Sequence, residues 1–198
     1  MHPLTEQALH NSLTYTGYIP QWFTELVHHC HDESKPTPEI IDSFVHHDTT
    51  ILVTWLPASP HRIDRSPQRD GYRISAIEYY TLSGERIGYV KAIYATTETI
   101  AQAIVDENVK PLSPTVDFSK LEPAYRNQEL APSLYVYLAR KLADQNMTLA
   151  SSTVQSDEAI ALWNRILSQK MFAVTELETS HGTKYVMDFR ESNVRILA

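Results

Sequence analysis

Two runs of residues, 72–82 and 86–95, meet at Ser83-Gly84, and this pairing constrains the chain more than any other feature. Glycine reaches the positive φ that a tight hairpin turn requires, so the runs are expected to pair as antiparallel strands. In the first run Ile74, Ala76 and Tyr80 alternate with Arg73, Ser75 and Tyr79. That is the period of a strand with one exposed face.

The flanking sequence alternates between helical and extended patterns. Behind Pro20, the residues Trp22, Phe23, Leu26 and Val27 recur at helical spacing, and Ser34, Pro36 and Pro38 interrupt the pattern. A second short helix is expected from Thr37-Pro38-Glu39, with Ile40, Ile41, Phe44 and Val45 on one face. Residues 50–56 are β-branched and aromatic and read as a strand ended by Pro57. The polar stretch 58–71, with Arg62, Arg65 and Arg69, is long for a loop in a compact domain and is expected to be mobile or functional.

A helix over 97–107 is expected behind Thr97 as N-cap, then a connector over 108–114 and a short strand at Thr115-Val116-Asp117-Phe118. Residues 132–144 carry Leu134, Tyr135, Leu138 and Leu142 at helical spacing, with proline in the first turn. A strand over 147–151 and a helix over 156–169 follow, the helix burying Ala159, Leu162, Trp163 and Ile166. The tail pairs 172–178 with 184–189 across His181-Gly182. The order implies an α/β domain over 50–198, with a mixed, mostly antiparallel sheet flanked by helices. Residues 1–49 are expected to form a helical N-terminal segment packed on it.

Composition narrows the function. The chain has 198 residues, 42% of them hydrophobic and 21% charged, enough for a real core. A net charge of -7 argues against direct nucleic-acid binding, which needs a clustered basic face. Cys30 is the single cysteine, so no intrachain disulfide can form. The first residues lack the pattern of a signal peptide, and no apolar run approaches the roughly 20 residues of a membrane span. A cytoplasmic protein with no membrane partner is expected.

Two histidine clusters are candidate zinc ligands: His28, His29, Cys30, His31 and Asp32, and then His46, His47 and Asp48. Their spacing matches no zinc signature. Both fall at expected helix C-termini, where histidine complements the negative end of the dipole, so no metal is assigned.

The sharpest signal is Ala124-Tyr125-Arg126-Asn127-Gln128-Glu129-Leu130-Ala131-Pro132-Ser133-Leu134-Tyr135, followed by Leu149-Ala150-Ser151-Ser152, Gln155-Ser156 and Ala161-Leu162-Trp163-Asn164-Arg165-Ile166. Over residues 72–189 this resembles the core of the GNAT superfamily of N-acetyltransferases, in particular its divergent phage-encoded members. The resemblance implies a loop whose backbone N–H groups, with the helix dipole, cradle the pyrophosphate of acetyl-CoA or another acyl-CoA. It places that cofactor at Arg126, Asn127, Gln128, Glu129, Leu130, Ala131 and Ser133.

Three residues depart from the family pattern. Glu129 stands where glycine is usual, and Pro132 removes one N–H donor. Trp163 occupies the place of a tyrosine that protonates the leaving thiolate, which indole cannot do. Two outcomes therefore stay open: a GNAT-like acyltransferase acting on an amine acceptor, and an inactive GNAT-fold protein that engages a host protein. An enzyme with a different donor is a third. For catalysis the candidates are Glu78 as general base and Ser152, beside Ser151, at the end of the strand next to the cofactor. Tyr72, Tyr79, Tyr80, Tyr89 and Tyr94 would wall an acceptor pocket.

Overall fold

The computed structural model describes residues 17–29, 37–59, 72–95, 114–169, 173–179 and 182–188. The expected helix over 97–107, the arginine-bearing stretch from residue 60 to 71, and Cys30, His31 and Asp32 lie outside the described residues. Helix α1 (Gln21–His29) precedes strands β1 (Glu39–His46), β2 (Thr49–Ser59), β3 (Tyr72–Thr81), β4 (Arg86–Ala95) and β5 (Thr115–Leu121). Helix α2 (Leu130–Ala143), β6 (Leu149–Ala150), helix α3 (Asp157–Ser168), β7 (Ala173–Thr179) and β8 (Gly182–Asp188) complete the order.

The strands form one 8-stranded sheet in the order β1-β2-β3-β4-β5-β6-β8-β7. Neighbours are antiparallel except β5 and β6, which run parallel and are joined through α2. Parallel strands need such a crossover, whereas antiparallel ones need only a turn. The mixed, mostly antiparallel sheet flanked by helices is thus the architecture observed.

The expected second helix is a strand. β1 pairs with β2 from Glu39 to His46, across a turn at His47 and Asp48 with φ of 44° and 63°. Two successive positive φ values match the twist of a tight hairpin. The apolar spacing misled because the buried positions are Asp42, Phe44 and His46, two of them polar, while Ile41 is only partly buried against the core. The second histidine cluster therefore sits on a hairpin and not at a helix end.

β3 also buries the other set of residues. Ser75, Ile77 and Tyr79 are fully buried. Ala76 is buried as well, on the opposite face, while Tyr80 is half-buried. Beside them, α1 docks on the β3–β4 hairpin. Trp22 Nε1 donates to Leu82 O at 2.8 Å, and its ring lies against Tyr80 and Gly84, whose φ is +90°.

α2 is the centre of the molecule: ten of its 14 residues are buried, including Leu134, Leu138 and Leu142. The core beneath it is partly polar. Tyr79 Oη and Ser133 Oγ are 2.7 Å apart, Ser133 donates to Leu130 O, and Tyr137 donates to the Asp42 carboxylate. Burial, reinforced by Asp42, pushes both phenols far above the usual tyrosine range, so each keeps its proton. No helix among the described residues is long and apolar enough to cross a membrane.

Candidate functional site

The ladder between β5 and β6 consists of one residue pair, Thr115 with Ala150. Beyond it β5 runs on to Leu121 without β6 beside it, and a cleft of about 560 Å³ opens there. Ser119, Lys120 and Leu121 of β5 form one wall. The loop Arg126, Asn127, Gln128 and Glu129 with the start of α2 forms the second. The third is α3, which contributes Glu158, Leu162 and Arg165 from one face, and Ser156 ahead of it.

The loop is held by its own hydrogen bonds. Arg126 Nε donates to Leu121 O at 3.1 Å, and the residue lines the cleft. Gln128 Nε2 donates to Ala124 O at 2.9 Å, and its Oε1 lies 2.6 Å from His46 Nε2. As Oε1 can only accept, His46 carries the proton on Nε2 there. One amide thus ties the β1–β2 hairpin to the turn before α2. Asn127 and Glu129 both have positive φ, 59° and 64°. Glu129 thus takes the left-handed conformation that glycine adopts most easily, at a cost of about 1 kcal/mol.

Helix α2 begins at Leu130 with no side-chain cap and no acidic residue in its first turn. Its first N–H groups have no partner within the helix. Ala131 and Pro132 border the cleft, while Leu130 and Ser133 are fully buried and turn their side chains into the core. Of the seven residues expected to hold a cofactor, five line the cleft, and the other two could contribute only backbone.

Charges in the cleft are mixed. Glu129 is ion-paired with Arg165, its Oε1 to Nη2. Its Oε2 is buried and makes no hydrogen bond among the described residues. Lys120 pairs with Glu122 at 2.9 Å. Glu158 is held below the usual carboxylate range by its own backbone N–H, then by Ser156, with Arg126 adding attraction.

The two expected catalytic residues lie elsewhere. Glu78 accepts from Tyr80 Oη at 2.7 Å and from Arg86 at 3.0 Å, and it does not border the cleft. Ser152 Oγ accepts from Val154 N at 3.2 Å, an ordinary turn bond. Ser151 is buried and accepts from Tyr185 N at 2.9 Å. Of the aromatic wall, Tyr79 is in the core and Tyr89 stacks with Phe118 on the far face of the sheet. Trp163 is packed between Tyr135 and Tyr185, with ring centroids at 5.5 and 5.7 Å.

Sequence reasoning missed Arg165, Ser119 and Tyr135, whose hydroxyl donates to Ser119 Oγ at 3.0 Å. A signal for Arg165 was present, since Glu158, Leu162 and Arg165 fall at i, i+4 and i+7 on one helix face. Among the described residues no group of three His, Cys, Asp or Glu side chains could hold a metal ion.

No protein-family model and no curated protein sequence matches the chain. Several solved structures are similar over part of the chain. A Klebsiella pneumoniae protein assigned to the acyl-CoA N-acyltransferases is similar at 15% identity and a TM-score of 0.40, over 65% of this chain and 78% of that one. The protein AAC(6')-Ib, in complex with ribostamycin and coenzyme A, is similar at 17% identity and a TM-score of 0.42, over 63% and 69%. A Bacillus halodurans protein is similar at 11% identity and a TM-score of 0.40, over 79% and 90%.

Proposed function

We propose that the chain is a GNAT-like acyltransferase whose cleft receives the pyrophosphate of an acyl-CoA. The observation that carries this reading is the cleft itself. It opens where the parallel β5 and β6 part, and the loop from Arg126 enters an uncapped helix there. The N–H groups of Leu130 and Ala131 suit phosphate oxygens, and the exposed guanidinium of Arg126 adds charge-assisted bonds. Bound acyl-CoA would supply an activated thioester for attack by an amine. Ser119 and the Tyr135 hydroxyl, at the mouth between the two strands, would orient the groups that reach them. Neither Glu78 nor Ser152 is carried into this reading as a catalytic group.

One observation favours a second reading, a GNAT-fold binding protein without catalysis that engages a host protein. The expected general base and the expected serine are both occupied by structural bonds away from the cleft, and Trp163 stands packed where a thiolate acid would be. Calorimetric titration of acetyl-CoA and CoA separates the two readings. Binding near micromolar is expected, and Arg126→Ala is expected to weaken it about ten- to a hundredfold, since hydrogen bonds to charged groups contribute about 1.5–3 kcal/mol. Absence of binding would overturn the acyl-CoA reading. Binding without acyl transfer to a panel of amines would select the inactive form.

A further inference from the structure

We infer that Glu129 is a built-in competitor for the anion in this cleft, and that Arg165 is a latent ligand released when Glu129 is displaced. The inference rests on the acyl-CoA reading and concerns this chain's own departure from the family loop. Three observations converge on it. Glu129 is in the left-handed conformation, so its backbone already does what a glycine would do there, and its carboxyl is an addition to the turn. That carboxyl lies in the wall of the cleft, engages Arg165 across it from α3, and is only 14% exposed. Its second oxygen is buried and makes no hydrogen bond among the described residues, so the ion pair leaves half of the carboxylate unsatisfied.

The charges that face the site are Lys120, Arg126 and Arg165 against Glu129 and Glu158. Lys120 is paired with Glu122 at 2.9 Å, and Glu158 is tied to its own helix start with Arg126 nearby. Arg165 is therefore the cation whose carboxylate partner itself lines the cleft. While Glu129 holds it, an arriving pyrophosphate meets a carboxylate and loses a guanidinium. Once the carboxyl swings aside, Arg165 can grip the phosphate in the bidentate manner suited to it. A partly buried, imperfectly satisfied ion pair is a weak stabiliser, so exchange for a phosphate is feasible.

Calorimetry with CoA and with inorganic pyrophosphate tests this on the wild-type protein and on Glu129→Gln, Glu129→Gly and Glu129→Gln/Arg165→Gln. Thermal unfolding of each variant confirms folding. Glu129→Gln is expected to bind both ligands about tenfold tighter than wild type, and Glu129→Gly at least as tightly. The double variant is expected to lose that gain, because the released guanidinium is what supplies it. Wild-type binding that Glu129→Gln leaves unchanged or weakens would overturn the inference alone. So would a gain that persists in the double variant. Failure of all four proteins to bind either ligand would overturn the acyl-CoA reading and the inference with it.

Discussion

Helices α2 and α3 both start at the wall of the cleft, at Leu130 and Asp157, and their first turns are built differently. α3 is closed at its start. Ser156 Oγ accepts from Ala159 N at 3.3 Å, and Asp157 and Glu158 add negative charge to the first turn. Those are the residues that satisfy a helix from within its own sequence. α2 has none of them: its flanking residue is a left-handed Glu129, its first turn is uncapped and without acid, and Pro132 follows. What fixes α2 is its burial, since ten of its 14 residues are out of water, against Trp163 and Ile166 alone in α3. A helix held by its flanks can leave its N-terminus open for a ligand. One held at the edge of the molecule needs its cap.

The largest effect should come from breaking what holds α2. Leu134 is 1% exposed and belongs to the same buried core as Tyr79 and Val90. Leu134→Ala is expected to cost about 3 kcal/mol and to lower Tm by roughly 6–12 °C. Thermal or chemical unfolding measures this. A loss below about 1 kcal/mol would mean that burial does not anchor the helix and that the contrast with α3 is mistaken.

How much of this could be read from the residues follows the same division. The β3–β4 hairpin, α2, α3 and the closing β7–β8 pair were legible because Ser83-Gly84, the leucine spacing and Ser156-Asp157-Glu158 are local signals. β1 was not, because its inward positions hold Asp42 and His46, whose partners Tyr137 and Gln128 lie 95 and 82 residues away. Buried polar residues satisfied at long range erase the pattern that marks a strand. The loop at Arg126 was legible through its place between strand and helix. The pairing of Glu129 with Arg165 was not, for it depends on how α3 lies over α2. Glu78 shows the limit of reading one strand alone. Tyr79 beside it points to Ser133 of α2, so Glu78 must face the other side, toward Tyr80 and Arg86.

A smaller effect separates the two helix starts directly. Ser156→Ala removes the side-chain cap of α3 and is expected to cost about 1 kcal/mol of stability. On the acyl-CoA reading the phosphate is held at the start of α2 while the Ser156 hydroxyl caps α3, so CoA affinity should stay within about twofold, a difference of about 0.4 kcal/mol. Unfolding and calorimetry on the same variant decide it. A loss of CoA affinity matching that of Arg126→Ala would show that both starts hold the ligand, and the distinction between an open and a closed helix would fail.

The smallest effect is the pH dependence that the closed start should carry. Glu158 is held below its ordinary pKa by its own backbone N–H and by Ser156. A depressed folded-state value means that the native protein binds fewer protons than the unfolded chain as pH falls. The stabilisation is therefore present above the unfolded carboxylate value of about 4.3 and fades as pH drops below it, through the lower native value. The side chain is exposed, so the effect should be slight and further reduced by salt. Comparing the pH profile of Tm for wild type and Glu158→Gln below about pH 5 isolates it. The two profiles should converge as the carboxyl protonates. A gap that stays constant to low pH would assign the effect of Glu158 to packing, and would take from α3 the charge that distinguishes its start from that of α2.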